Sequence, residues 1–207
     1  MKKYTKWFNI ILIIVLLLII GIMAKDSKRH NTPQHEVVLE NIFARHSVRE
    51  YIDKSVTKGM LDTLARAGMA APTGMGREAW AFILIDKREV LDSLASGLSN
   101  AQMLFQAAAA IVVCGDTNKA PMEVDSSYWV QECSAATENI LLASQSMGLG
   151  AVWTGAWPRK ERMDHIRKTL NLPPNLIPLN VISLGYPQRE EPPKDKYKSE
   201  NIFWNKL

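Results

Sequence analysis

Six consecutive apolar residues, Ala109-Ala110-Ile111-Val112-Val113-Cys114, run into Gly115-Asp116. A strand points successive side chains to opposite faces, so an apolar run without a polar break belongs to a strand buried on both sides. A fold built around it needs cover on each face, and therefore a substantial core. The 207 residues are 47 % hydrophobic and 22 % charged, which supplies such a core and excludes disordered or collagen-like chains. At about 100–200 residues per domain there is room for one domain or two small ones, and no boundary is visible after residue 36.

Around that strand the chain alternates between helical and extended patterns. Val37, Val38, Ile42 and Phe43 keep helical spacing up to Ala44. Ser55 or Thr57 can cap a second helix with Met60, Leu61, Leu64, Ala67 and Gly68 on its apolar face, stopped by Pro72. Residues 80–85 read as a strand, Val90-Leu91 and Leu94 begin a helix, and 103–108 suit a further one. The longest helix is expected over about 127–146, where Trp129, Cys133, Ala136, Ile140, Ala143 and Met147 recur every three or four residues. Its Ala and Ser content fits close packing at the centre of the molecule. Gly148-Leu149-Gly150 ends it. Residues 151–153 re-enter as a strand or extended loop, 159–170 form an exposed helix, and 177–184 form a last core strand. Cys114 and Cys133 are too few and too far apart for a disulfide framework or a four-ligand zinc site, and read as buried free thiols.

The net charge of +4 divides unevenly. Residues 1–35 carry six Lys and Arg against Asp26, which leaves the other 172 residues with 19 basic and 20 acidic side chains. The basic balance belongs to the leader, and nothing recommends the rest as a nucleic-acid binder. From Trp7 to Ala24 the one polar side chain is Asn9, and Ile10–Ile20 is an unbroken aliphatic run. Hydropathy therefore gives an N-terminal membrane anchor or signal segment over 1–24, a polar linker over 25–35 and a domain over 36–207. On that reading the protein is membrane-anchored with its domain external or periplasmic, or secreted if the leader is cleaved.

No strand leads into G-x-G-x-x-G, and there is no P-loop or H-E-x-x-H. His30, His35, His46 and His165 lack ligand spacing, so no metal is expected. Two segments stand out. Arg45-His46-Ser47-Val48-Arg49-Glu50-Tyr51 places two guanidinium forks four residues apart with a hydroxyl between them, chemistry suited to a phosphate or an electron-rich heterocycle; solvated surface arginines are the plainer alternative. Ala70-Ala71-Pro72-Thr73-Gly74-Met75-Gly76-Arg77-Glu78-Ala79-Trp80 is a small-residue loop that lets backbone N–H groups approach a flat ligand, or is a plain connection.

Together these segments resemble the FMN-dependent nitroreductase family. Residues 45–51 are similar to its opening R-R-S-x-R-x-[FY], and Ala71-Pro72-Thr73 with Trp80 to its A-P-[ST]-x-x-N-x-Q-P-W. Gly148–Trp153 match the G-x-G segment after the central helix, and Leu184-Gly185-Tyr186-Pro187 the G-Y-P turn before a basic tail. The resemblance spans 36–207 and implies an α+β, nitroreductase-like fold: a mostly antiparallel sheet flanked by helices, in an intertwined homodimer with FMN at the interface. It implies that Arg45, His46 and Ser47, with Lys196 and its neighbour Lys198 from the tail, hold the FMN phosphate. Arg49 faces the pyrimidine edge, where a cation stabilises the negative charge that reduction leaves. Pro72, Thr73 and Met75 reach that edge from the partner subunit. Val152, Trp153, Thr154 and Gly155 line the side toward N5.

The implied activity is an NAD(P)H-dependent FMN oxidoreductase that reduces nitroaromatic, quinone or related acceptors by a ping-pong mechanism, without a protein acid or base. Alternatives are a deiodinase-like reductive dehalogenase, or a flavin-binding or dimeric interaction module without turnover. The latter is motivated by a departure: Gly76, Arg77, Glu78 and Ala79 stand where the family has N-x-Q-P, so the two amide side chains that serve the flavin-edge loop are missing. Trp129, Gln131 and Glu132 fit either the substrate side or, more simply, the core face of the long helix.

Overall fold

The computed structural model describes Trp7 and residues 12–20, 33–119 and 128–207. The chain divides into two compact units, residues 1–42 and 43–207. In the first, residues 12–20 are helical and exposed, and helix α1 (Gln34–Ala44) begins. Among the described residues no helix is long and apolar enough to cross a membrane. The expected membrane anchor over 1–24, and the external or periplasmic location tied to it, is therefore corrected. That expectation rested on the apolar run with its flanking Lys and Arg, and no described helix supplies a span. The remaining residues of the 1–24 segment, and the 25–35 linker up to residue 32, lie outside the described residues.

The second unit contains β1 (Tyr51–Ile52), α2 (Lys58–Met69), β2 (Trp80–Ile85), α3 (Arg88–Gly97), β3 (Ala109–Asp116), α4 (Tyr128–Ser146), β4 (Gly150–Gly155), α5 (Lys160–Leu170) and β5 (Leu176–Pro187). The five strands form one sheet in the order β1-β5-β3-β2, with β4 also paired to β5. All these pairings are antiparallel, as the family fold implies.

The apolar run of β3 is buried along its length, and alternation sends it into two cores. Ala109, Ile111 and Val113 join Leu64 of α2 and Ile140 and Leu141 of α4. Ala110, Val112 and Cys114 join Leu91 and Leu94 of α3 and Ile166 of α5. Helices thus cover both faces. Cys133 Sγ lies 3.4 Å from the Cys114 carbonyl, to which it donates, and both cysteines are free and buried; burial pushes the Cys114 thiol up to about 12.

β5 carries three partners. Between its pairings of Asn180 with Val113 and Pro178 with Cys114, Leu179 bulges out of register. The bulge turns the Leu179 carbonyl onto the amides of Ala156 and Trp157, at 2.9 and 3.0 Å, and so fixes the chain leaving β4.

Sequence and structure differ at two elements. Residues 102–105 form a 3-10 turn rather than a helix to 108. The Ala108 amide, which a helix would direct to Leu104 O, donates instead to Leu184 O of β5 at 2.9 Å, and the Arg88 guanidinium takes the carbonyls of Leu104 and Ala107. β5 runs on to Pro187 because Tyr51 and Ile52 pair with Pro187 and Tyr186. Thr57 caps α2 as expected, its hydroxyl accepting from the Met60 amide at 3.2 Å.

Ile182, fully buried in β5, is expected to cost about 2–5 kcal/mol when replaced by Ala. Urea unfolding should show the loss, with the exposed β2 change Leu84→Ala costing much less.

Candidate functional site

The segment that follows α1 is tied to two strands. Val48 N donates to Ala151 O at 3.0 Å, next to a parallel bridge between Ser47 and Ala151 of β4. Tyr51 is 5 % exposed; its hydroxyl donates to Val48 O at 2.8 Å and lies 2.9 Å from Ser183 Oγ of β5. Both contacts depend on glycines facing them. A Cβ at Gly150 would lie 2.6 Å from Val48 Cγ1, and one at Gly185 would lie 2.7 Å from Tyr51 Cδ1. Three motifs that are distant in sequence therefore converge because two of them leave room for side chains of the first.

With Val48 and Tyr51 turned inward, Arg45, His46, Ser47 and Arg49 line an open pocket of about 200 Å³ together with Glu191, Pro192, Lys194 and Lys196. Arg45 Nε is 3.3 Å from Glu138 Oε1 of α4. His46 Nδ1 lies 3.0 Å from Ala44 O; a carbonyl can only accept, so this nitrogen carries the proton. The other ring nitrogen, Nε2, is buried without a hydrogen-bond partner among the described residues. The Glu191 carboxylate is held by Arg189 at 3.1 Å, and Arg189 also reaches Glu50. Four cationic side chains and one hydroxyl thus border a pocket whose single carboxylate already has a partner outside it. Such a lining has the chemistry to take an anion. Lys194 was not singled out in the sequence, although the basic spacing of the tail contains it. Lys198, which was, does not line the pocket.

The second segment lies elsewhere. Pro72 is exposed, Thr73 half-buried and Met75 69 % exposed, on a loop with a 3-10 turn at Gly74–Gly76. In β4, Val152 and Thr154 are buried, Trp153 faces outward and Gly155 is half-buried. None of these seven lines the pocket around Arg45. Trp129 is a core residue packed edge-on to Trp157, and Gln131 is exposed. Glu132 is buried, yet polar in use: its carboxylate accepts from the amides of Gly74 and Ala79.

A sequence profile of the nitroreductase family matches residues 42–99 and 88–186. The chain belongs to the nitroreductase family. It is 41 % identical over 168 residues to an Archaeoglobus fulgidus protein provisionally named NADH dehydrogenase/NAD(P)H nitroreductase, covering 81 % of this chain and 94 % of that one. A crystal structure from Parabacteroides distasonis with the same provisional name is 49 % identical, with a TM-score of 0.78 over 82 % of this chain and 98 % of its own. A Desulfovibrio desulfuricans structure, described as a nitroreductase in complex with FMN, is 27 % identical with a TM-score of 0.70, over 82 % and 97 % of the two chains. Each of these chains consists almost wholly of the shared domain.

Gly150→Ala is expected to push Val48 off β4 and destabilise the protein by about 1–3 kcal/mol, measurable as a lower urea midpoint. Burial pushes the Tyr51 hydroxyl up to about 12 despite its bond to Ser183 and the nearby Arg49 charge. Its unfolded value is near 10, so the unfolded chain loses this proton first. The stabilisation is complete below about pH 10 and declines as pH rises toward 12. Tyr51→Phe should remove this component of the slope when unfolding is compared at pH 9 and pH 11.

Proposed function

We propose that this chain binds FMN and acts as an NAD(P)H-dependent oxidoreductase on nitroaromatic, quinone or related small acceptors. The observation that carries the reading is the convergence of Arg45, Ser47, Arg49, Lys194 and Lys196 on one pocket in a nitroreductase-family chain. The donor set fits a phosphate, since guanidinium forks, ammonium groups and a hydroxyl all donate. The names of the Archaeoglobus and Parabacteroides relatives support the electron donor, and the FMN complex of the Desulfovibrio structure supports the cofactor.

Arg45, Ser47 and Lys196 would bind the phosphate, with Lys194 beside them and His46, whose ring N–H is committed to Ala44 O, contributing its backbone amide. Arg49, at the inner end of the same segment, would stabilise negative charge at the pyrimidine edge. Val152–Gly155 would orient the N5 side through backbone that β5 holds rigid. Pro72, Thr73 and Met75 would complete the flavin edge from a second copy. Phe203 and Trp204, exposed on a single chain at 61 % and 85 %, support a homodimer in which the tail lies on the partner. When bound, FMN supplies the hydride chemistry, with donor and acceptor alternating at one exposed face. No side chain is assigned as acid or base.

Protein purified without added flavin should show flavin absorbance, release FMN at about one per chain on denaturation, and bleach with NADH or NADPH. A colourless protein that also ignores added FMN would overturn the reading. Arg45→Ala removes charge-assisted bonds of about 1.5–3 kcal/mol. It should weaken FMN about 10–150-fold while leaving riboflavin, which lacks the phosphate, unaffected.

A further inference from the structure

A carboxylate taken out of water needs hydrogen bonds or a counter-charge to replace its hydration. Glu132, on the first turns of α4, is 5 % exposed and forms no ion pair among the described residues. Its partners are two backbone amides: Oε1 accepts from Gly74 N at 2.8 Å and Oε2 from Ala79 N at 3.0 Å. These amides stand at the two ends of one loop, so a single side chain of the core helix closes it from both sides.

The loop between them needs such a tie. Met75, Gly76 and Glu78 adopt φ of 56°, 66° and 51°, a left-handed region that residues with a Cβ resist. Two of the three carry a Cβ. An untied loop would relax toward ordinary backbone, carrying Thr73 and Met75 with it. The second bond also depends on a departure from the family pattern. Where that pattern has Pro there is no N–H to donate, whereas Ala79 has one, and Glu132 takes it.

We propose that Glu132 is a positioning residue for the flavin, clamping the 74–79 loop from both ends in place of the family's Asn and Gln side chains, which Gly76 and Glu78 do not supply. This rests on the FMN reading above. It also accounts for a loop that keeps its place without those amides.

The test uses the full chain with FMN or riboflavin added. Glu132→Gln keeps the shape but turns an amide N–H toward one of the two donors. Amide exchange at Gly74 and Ala79, and tryptic cleavage after the exposed Arg77, should each accelerate about tenfold or more. Because the loop serves the ring and not the phosphate, FMN and riboflavin should weaken in parallel, by about tenfold, and the visible circular dichroism of bound flavin should change. Ala79→Pro removes one donor and leaves the carboxylate with Gly74, so, should Glu132→Gln fail to fold, it accelerates cleavage after Arg77 and exchange at Gly74, and weakens both flavins, at smaller size, about threefold. Unchanged exchange at the two amides would overturn the clamp. Accelerated exchange with unaltered flavin affinity and dichroism would overturn the positioning role alone. A wild-type chain that binds neither flavin, its two amides still protected, would overturn the FMN reading and the role with it.

Discussion

A strand hydrogen-bonded on both edges cannot slip without breaking every partner at once, and β5 is such a strand. Ladder bonds link it to β3 and β4 over most of its length and to β1 at its end. Its interior side chains, from Leu179 to Leu184, are buried without exception. A one-residue shift would turn apolar residues out of both cores and Asn180 and Ser183 into new surroundings. The register of this strand therefore fixes where β4 lies, where the Leu179 carbonyl points, and where Ser183 meets the Tyr51 hydroxyl.

The candidate cofactor site takes its precision from that register. Arg45 to Arg49 are presented by a short segment with little regular structure of its own, a poor platform for aiming charges. Its inward side chains compensate. Val48 lies against Gly150 and Tyr51 against Gly185, so the segment seats on the sheet while Arg45, His46, Ser47 and Arg49 face the pocket. At the 74–79 loop the same logic is inverted: the loop is exposed, and a buried acid from the core helix reaches out to fix it.

Much of this was legible in the sequence because it follows from periodicity. The two-faced strand at 109–114, the long helix ending near residue 146 and the cap at Thr57 depend on neighbours close in the chain. What was not legible depended on distant partners. Nothing near residues 102–108 announces that Arg88 will take their carbonyls, and nothing near Tyr51 and Ile52 announces a two-residue strand. Glu132 was read as a residue of the substrate side or, more simply, of the helix's core face. Its period is right for burial, but its use is set by amides 58 and 53 positions away. Arg45, His46, Ser47, Arg49 and Lys196 were chosen through family resemblance and do meet in one pocket, whereas Lys198 falls outside it and Lys194 within. The leader shows the opposite failure, since hydropathy alone gave a membrane location that the described helix does not support.

One consequence concerns the chain beyond Gln188. The Gln188 amide, bonded to Glu50 O, makes the last backbone tie to the body of the domain among the described residues; later ties are local to the tail. A protease that trimmed the chain there would leave all five strands and both cores whole while removing Lys194 and Lys196. The product would keep the sheet pairings within the chain, yet lose two of the four cations that border the pocket. Integrity of the fold and competence to retain a phosphorylated ligand are thus properties of different stretches of the polypeptide, and a single nick separates them.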